Sequence, residues 1–149
     1  MGDLAERWSW QDGYRNLVFF LRRGVKWHDG QPFSARDVKF TFDMVREAAG
    51  HVRDLLAEHG MLGFAKTTGS KGIHVYVRVE PGWDSFAVRG AVVALGRELT
   101  RRHPDLITDK WWKEERHGVF LDYNQNAKDR TVASAYSVRP TPDARVSFP

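Results

Sequence analysis

Between Ser34 and Gly60 the chain carries one uninterrupted amphipathic pattern, and that pattern limits what the rest of the sequence can form. Val38, Phe42, Val45, Ala48/Ala49, Val52 and Leu55/Leu56 recur every three to four residues, the period of a single helix face. Ser34 is a good N-cap residue with Asp37 three positions on, and Gly60 stands where a left-handed C-cap falls. The spacing predicts one helix from Ala35 to Glu58, with Gly50 inside it costing about 1 kcal/mol relative to alanine. A stripe of this length needs a layer to bury it, so the flanking segments must supply sheet or helix partners.

Those partners are legible as β and α signals. Glu6 to Leu21 reads as a hairpin, with Trp8 and Trp10 alternating with polar neighbours, a turn at Asp12-Gly13 and a β-rich run from Asn16 to Leu21. Gly24, His28-Asp29-Gly30 and Pro32 punctuate the segment that follows. After the helix come a short strand at Leu62 to Ala65, a loop from Lys66 to Gly72 and a strand at Ile73 to Val79. Asp84 or Ser85 caps a second helix with the stripe Val88, Val92, Leu95, Leu99, ending at His103-Pro104. Strands at Val119 to Tyr123 and Thr131 to Val138 complete the order β-β-α-β-β-α-β-β. The fold class expected is α/β (α+β), a single domain over 1–149 with a mixed or antiparallel sheet and two main helices packed on it.

Composition removes several classes of function. The chain has 149 residues and no cysteine, which excludes disulfide scaffolds, thiolate zinc sites and cysteine nucleophiles. With 42% hydrophobic and 13% aromatic residues it can build a core. The net charge of +4 permits phosphate or nucleic-acid binding without demanding it. The longest purely apolar run, Leu17 to Leu21, is far short of the ~20 residues that span a bilayer. Asp3 and Glu6 stand where a signal peptide is positively charged and then apolar, so a soluble cytoplasmic product with no membrane partner is expected.

Two stretches resemble two different families. Leu4 to Trp8 and then Leu21-Arg22-Arg23-Gly24-Val25-Lys26-Trp27-His28-Asp29-Gly30-Gln31-Pro32-Phe33-Ser34-Ala35-Arg36-Asp37-Val38 resemble the N-terminal region of the peptide- and nickel-type solute-binding proteins of ABC importers. That resemblance covers about residues 4–42. From Asp43 onward the chain resembles the polymerase domain of bacterial DNA ligase D, of the archaeo-eukaryotic primase superfamily that serves non-homologous end joining. The residues carrying it are Val45 to Ala49, Val52 to Leu56, Gly63-Phe64-Ala65-Lys66-Thr67-Thr68-Gly69-Ser70-Lys71-Gly72-Ile73-His74-Val75-Tyr76-Val77, Arg102 to Leu106, Phe120 to Asn126 and Ala135 to Arg139. Together the resemblances imply a chimera with a primase-like core, joined near Phe40 to Arg46 inside a helix, with 1–42 from one family and 43–149 from the other.

The polymerase resemblance implies a particular chemistry. Such enzymes hold two divalent metals on carboxylates, one activating the attacking hydroxyl and one neutralising the triphosphate. The family strand that carries the paired carboxylates matches Leu17 to Gly24, which places Phe20 and Arg22 at their positions and leaves Asp122 as the remaining, vestigial metal ligand. An arginine where two cations should sit opposes metal binding. No cofactor is therefore required, and Mg²⁺ or Mn²⁺ would bind only weakly at Asp122.

Thr68, Lys71, Gly72 and His74 match the family's nucleotide-binding motif, and Arg139 matches an arginine that reaches the phosphates. Backbone N–H groups of a Gly-rich turn, a hydroxyl, an ammonium and an imidazole together can cradle phosphate oxygens. Read without the family, the same stretch is a Gly-Ser turn between strands and Arg139 a surface arginine beside Pro140. Gln125 stands near where some relatives carry another basic contact, so neutralisation would be incomplete.

Other features read as structural. His28 and Asp29 sit in a turn. Trp111-Trp112, flanked by Lys110 and Lys113, packs at a core edge or makes protein contacts more readily than it stacks on bases. His51, His59, His103 and His117 show no ligand spacing. The expectation is an engineered chimera without an intact active site, made by recombining fragments of unrelated folds. The alternatives are a residual module binding nucleoside triphosphate, phosphate or sulfate, and a minimal nucleotidyltransferase recruiting Asp12, Asp29 or Asp37. DNA binding would be weak, and the state a monomer or a strand-swapped dimer.

Overall fold

Ser34 opens the predicted helix with a reciprocal cap: its N–H and hydroxyl both donate to the Asp37 carboxylate, at 2.7 and 2.9 Å, and its hydroxyl accepts from the Arg36 N–H at 3.2 Å. These bonds hold the Asp37 carboxyl below the usual carboxylate range, the Ser34 backbone N–H contributing most. From this cap α1 runs Ala35–Glu58, through Gly50, and a methyl group at Gly50 would meet nothing within 4 Å. The structure is a computed structural model that describes residues 4–69, 72–140 and 146–148. The chain divides into two compact units, Met1–Phe42 and Asp43–Pro149.

The first unit is built on an antiparallel hairpin, β1 (Ala5–Gln11) with β2 (Asn16–Leu21). Asp12, Gly13 and Tyr14 all take positive φ at the turn, and the Asn16 amide donates to the Asp12 carboxylate across it. Trp8 faces Phe19 and Trp10 faces Leu17 in the register, and all four are exposed. A bridge between Lys26 and Pro32 closes the next turn, in which the Asp29 carboxylate accepts from the Gln31 N–H at 3.0 Å.

The second unit holds the core. Ala48 and Leu55 of α1 meet Leu99 of α2 (Ser85–Arg102) and Ile107 of β5 (Ile107–Thr108), flanked by Val52, Leu95, Leu106, Val119 and Leu121. Each buried aliphatic side chain contributes roughly 1.5–3 kcal/mol. Asp84 caps α2 by accepting from the Ala87 N–H at 2.8 Å. Arg102 closes its other end on α1, with Nη1 donating to Glu58 at 2.7 Å and Nε to Glu98 at 2.7 Å. The antiparallel hairpin of β3 (Gly63–Thr67) and β4 (Ile73–Val77) turns one face onto α1, where a Cβ on Gly63 would lie 2.9 Å from Leu56 Cδ1.

The architecture is the expected α+β one with two main helices, but its sheet is not continuous. Among the described residues there are three two-stranded sheets. The predicted strand Val119 to Tyr123 is confined to β6 (Val119–Phe120), paired in parallel with β5. It stops because the Asp122 carboxylate accepts from the Asn124 N–H at 2.9 Å and curls the chain into a 3-10 turn over Asn124–Asn126.

The predicted strand Thr131 to Val138 is not formed. The Ser137 hydroxyl donates to Ser134 O at 2.7 Å and Tyr136 takes a φ of 62°, so the segment turns back on itself and only Val138 bridges, to Val146. Phe42, placed on the apolar stripe by its spacing, is 65% exposed. The core begins at Ala48, where α2 and β5 supply the partner surface. No helix among the described residues is long and apolar enough to cross a membrane.

Candidate anion-binding site

The face of the β3–β4 hairpin opposite α1 presents chemistry rather than core. Alternation along paired strands puts Phe64 opposite Tyr76 and Lys66 opposite His74, all on this face. Lys66 is only 5% exposed, unusual for a lysine. Its ammonium donates to Thr67 O at 3.0 Å and to the Ser147 hydroxyl, which in turn donates to Thr67 O at 2.8 Å. The backbone of Phe148 clasps Thr67 on both sides: Thr67 N–H donates to Phe148 O at 2.7 Å, and Phe148 N–H donates to the Thr67 hydroxyl at 2.8 Å.

The loop leaving β3 is folded onto Arg139. Thr68 N–H donates to Gly72 O at 2.9 Å, and Gly72 N–H returns a bond to the Thr68 hydroxyl at 3.2 Å. Gly69 takes a φ of +69°, and a Cβ there would lie 3.0 Å from Arg139 Cγ and from the Ser147 amide nitrogen. Lys71 lies outside the described residues. Thr68, Gly72, His74 and Arg139 thus come together around one loop, and Lys66, expected in the loop but found within β3, joins them. Its signal was positional, since it stands directly opposite His74.

His74 registers this surrounding charge. Burial, then Lys66, then Arg139 push its pKa below the ordinary histidine value, while Asp122 opposes them. Its Nδ1 is buried with no hydrogen-bond partner among the described residues, a group that a ligand oxygen could satisfy. Asp122 is exposed at the margin of this cluster, within electrostatic reach of His74. Among the described residues no group of three or more His, Asp or Glu side chains is placed to hold a metal ion.

The remaining candidates have local partners. In the first unit Arg7 stacks 3.3 Å over the Phe20 ring, and the Arg22 N–H donates to Leu4 O at 3.0 Å. Asp12, Asp29 and Asp37 each accept from a neighbour in sequence. Trp111 and Trp112 are exposed, Trp111 lying 6.4 Å from the Tyr123 ring. His51 and His103 stack at 3.6 Å, a juxtaposition that spacing along the chain does not reveal. The His117 ring bonds Pro104 O at 2.7 Å.

Comparison with known proteins matches both parts of this arrangement. The model of the LigD primase-polymerase domain matches residues 36–149, and that of the bacterial extracellular solute-binding proteins, family 5 middle, matches residues 1–67. The two matches share α1 from its second residue through β3. The multifunctional non-homologous end joining DNA repair protein LigD of Mycobacterium tuberculosis is 37% identical over 107 residues, covering 69% of this chain and 14% of that protein. LigD of Pseudomonas aeruginosa is 36% identical over 98 residues, covering 64% of this chain and 11% of its own length.

An ABC transporter peptide-binding protein of Brucella abortus is 44% identical over 136 residues, covering 89% of this chain and 25% of that protein. In three dimensions the chain is similar to the polymerase domain of M. tuberculosis Ligase D solved in complex with DNA. The TM-score is 0.68 at 27% identity, covering 96% of this chain and 48% of the solved one. The chain therefore spans about half of that solved domain and a small part of each full-length relative. With more than half its length matched by one family model and its fold shared with a solved member, the chain belongs to the LigD primase-polymerase domain family, carrying at its N-terminus a segment similar to solute-binding proteins.

Proposed function

We propose that this chain is an engineered chimera that binds the phosphates of a nucleoside triphosphate but does not transfer the nucleotide. The observation that carries the binding half is the convergence of Lys66, His74 and Arg139 beside the Gly69 loop, with the buried Nδ1 of His74 lacking a partner among the described residues. Three cationic or protonatable groups beside one loop favour a polyanion. Thr68 and Gly72 belong to the same sequence motif and bond each other at the foot of the loop.

The inactive half rests on the positions that match the family's paired carboxylates. They hold Phe20, covered by Arg7, and Arg22, so the residues present do not fit a two-metal site. Asp122 already accepts from the Asn124 N–H and stands within electrostatic reach of His74, so Mg²⁺ or Mn²⁺ would be held weakly. The match to two families with a shared stretch inside α1 and β3, rather than at a boundary between whole domains, supports recombination of fragments. DNA, which the solved relative binds, would be at most a weak partner here.

Primer extension with Mg²⁺ or Mn²⁺ tests the inactive half. No incorporation is expected, and incorporation lost in Asp122→Ala would refute it. Titration of a labelled triphosphate tests the binding half. His74→Ala should weaken binding by roughly tenfold, the effect of one hydrogen bond to a charged group, and unchanged binding would refute it.

A further inference from the structure

The C-terminal part of α1 and the middle of α2 leave an open apolar groove between them, about 370 Å³, with Leu55 and Met61 on one side and Ala91, Ala94 and Leu95 on the other. The groove opens onto the outer face of α2. Val88, Val92, Leu95 and Leu99 form the inward stripe of that helix, and its 3.6-residue turn sets Ala87, Ala91, Ala94, Glu98 and Arg101 together on the outer side. Ala87, Ala91 and Ala94 are exposed, and a face of methyl groups lets another helix approach to about 8 Å. The two ends of this face carry opposite charge. Asp84, the exposed N-cap, stands at one end, and Arg101, its side chain 70% exposed, at the other. Asp84 accepts from the Ala87 N–H, and Arg101 directs Nε and Nη2 to Glu98 at 2.9 and 2.8 Å.

We propose that α2 pairs antiparallel with α2 of a second copy of this chain, about a two-fold axis passing between Ala91 and Ala94. In such a pair, positions equidistant from the axis face each other. The register that seats Ala91 on Ala94 of the second copy therefore also sets Asp84 opposite Arg101 of the second copy, and symmetry repeats that ion pair at the far end. Ala87 comes opposite Glu98, which brings the carboxylate close to the positive N-terminal end of the other helix. A parallel pair would set Asp84 against Asp84 and Arg101 against Arg101. Shape and charge thus agree in one register, and the helix of the second copy covers the groove beside Leu95. One helix pair buries less than the roughly 1,200 Å² of a stable interface, so the dimer is weak and sensitive to salt.

Sedimentation velocity of the unmodified chain from about 10 µM to 1 mM tests the pairing. The weight-average mass should rise toward twice that of the monomer, and rise less in about 0.5 M salt. Ala94→Arg, its fold checked by circular dichroism, should stay monomeric because it sets an arginine from each copy beside the axis. The chain has no cysteine, so introduced thiols report the register independently. An equal mixture of Ala91→Cys and Ala94→Cys chains should oxidise to a disulfide dimer several-fold more than either chain alone. A monomer at 1 mM overturns the proposal. So does a dimer that persists in Ala94→Arg, the result an exchanged β1–β2 hairpin would give, and so does cross-linking with no preference for the mixed pair.

Discussion

Gly69 lies against the stem of Arg139, so close that a Cβ on the glycine would fall 3.0 Å from Arg139 Cγ. The same Cβ would meet the backbone at Ser147 N and Val146 C, at 3.0 and 3.1 Å. Because Gly69 also has a φ of +69°, Gly69→Ala must both strain its own backbone and push the loop off Arg139. A left-handed non-glycine residue costs about 1–2 kcal/mol. Denaturant unfolding should show at least that loss, and triphosphate affinity should fall with it.

His74 makes binding sensitive to pH. Its pKa is depressed from the ordinary value of 6.5 in the folded chain, so on acidification the unfolded chain takes up the proton first. His74 therefore lowers stability as pH falls through 6.5, until the folded imidazole itself protonates. A bound phosphate favours the imidazolium and reverses the preference. Triphosphate affinity should rise from about pH 7.5 to pH 6 beyond the change seen in His74→Gln, with proton uptake detectable by calorimetry in buffers of different ionisation enthalpy.

Gly118 is the position least able to accept a side chain. It has a φ of +66°, and a Cβ would lie 2.2 Å from Leu106 O, the carbonyl that accepts from Val119 N–H at 2.7 Å to start the β5–β6 ladder. Gly118→Ala cannot be accommodated without parting these strands, which carry the fully buried Ile107 and Thr108. A destabilisation of about 3 kcal/mol or more is expected from chemical denaturation. Gly50→Ala, with open space around it, should instead stabilise α1 by about 0.5–1 kcal/mol.

The Glu58–Arg102–Glu98 chain at the helix ends sets an acid limit. Hydrogen bonds from Arg101 and Arg102 hold the Glu98 carboxyl at about 2, and the bond from Arg102 also lowers Glu58. Both carboxyls have folded pKa values below their unfolded 4.5, so their contribution is complete above pH 4.5 and is lost as pH falls toward 2. Glu58, Arg101 and Arg102 are exposed and Glu98 is half-buried at the surface, so the effect should be small and should be strongly reduced in about 1 M salt, where the screening length is roughly 3 Å. Thermal unfolding of Glu98→Gln at neutral and acid pH checks this, the difference from the unmodified chain disappearing at the acid end.

Local signals in the sequence carried the helices and the first two hairpins, because the chemistry that defines them is local. Ser34 with Asp37, Asp84, Gly60 and the Asp12-Gly13 turn each act within four residues. The parallel pairing of β5 with β6 was not legible, since two-residue strands leave no periodicity and their partner is set by the Leu106 carbonyl and the Gly118 turn. The Thr131 to Val138 segment misled because its β-prone residues are overruled by Ser134 and Ser137 bonding each other. In the candidate site, His74, Thr68 and Arg139 come from the sequence motif. Lys66 was not legible there, because its role depends on strand register and on Ser147, far along the chain.

Isothermal titration of ATP into the unmodified chain and into Arg139→Ala, without divalent metal, tests the central claim most directly. Saturable binding that weakens roughly tenfold in the variant is expected, since a charge-assisted contact to phosphate is lost while His74 remains. A titration of the unmodified chain that does not saturate by about 1 mM, or equal affinities for the two proteins, would contradict it.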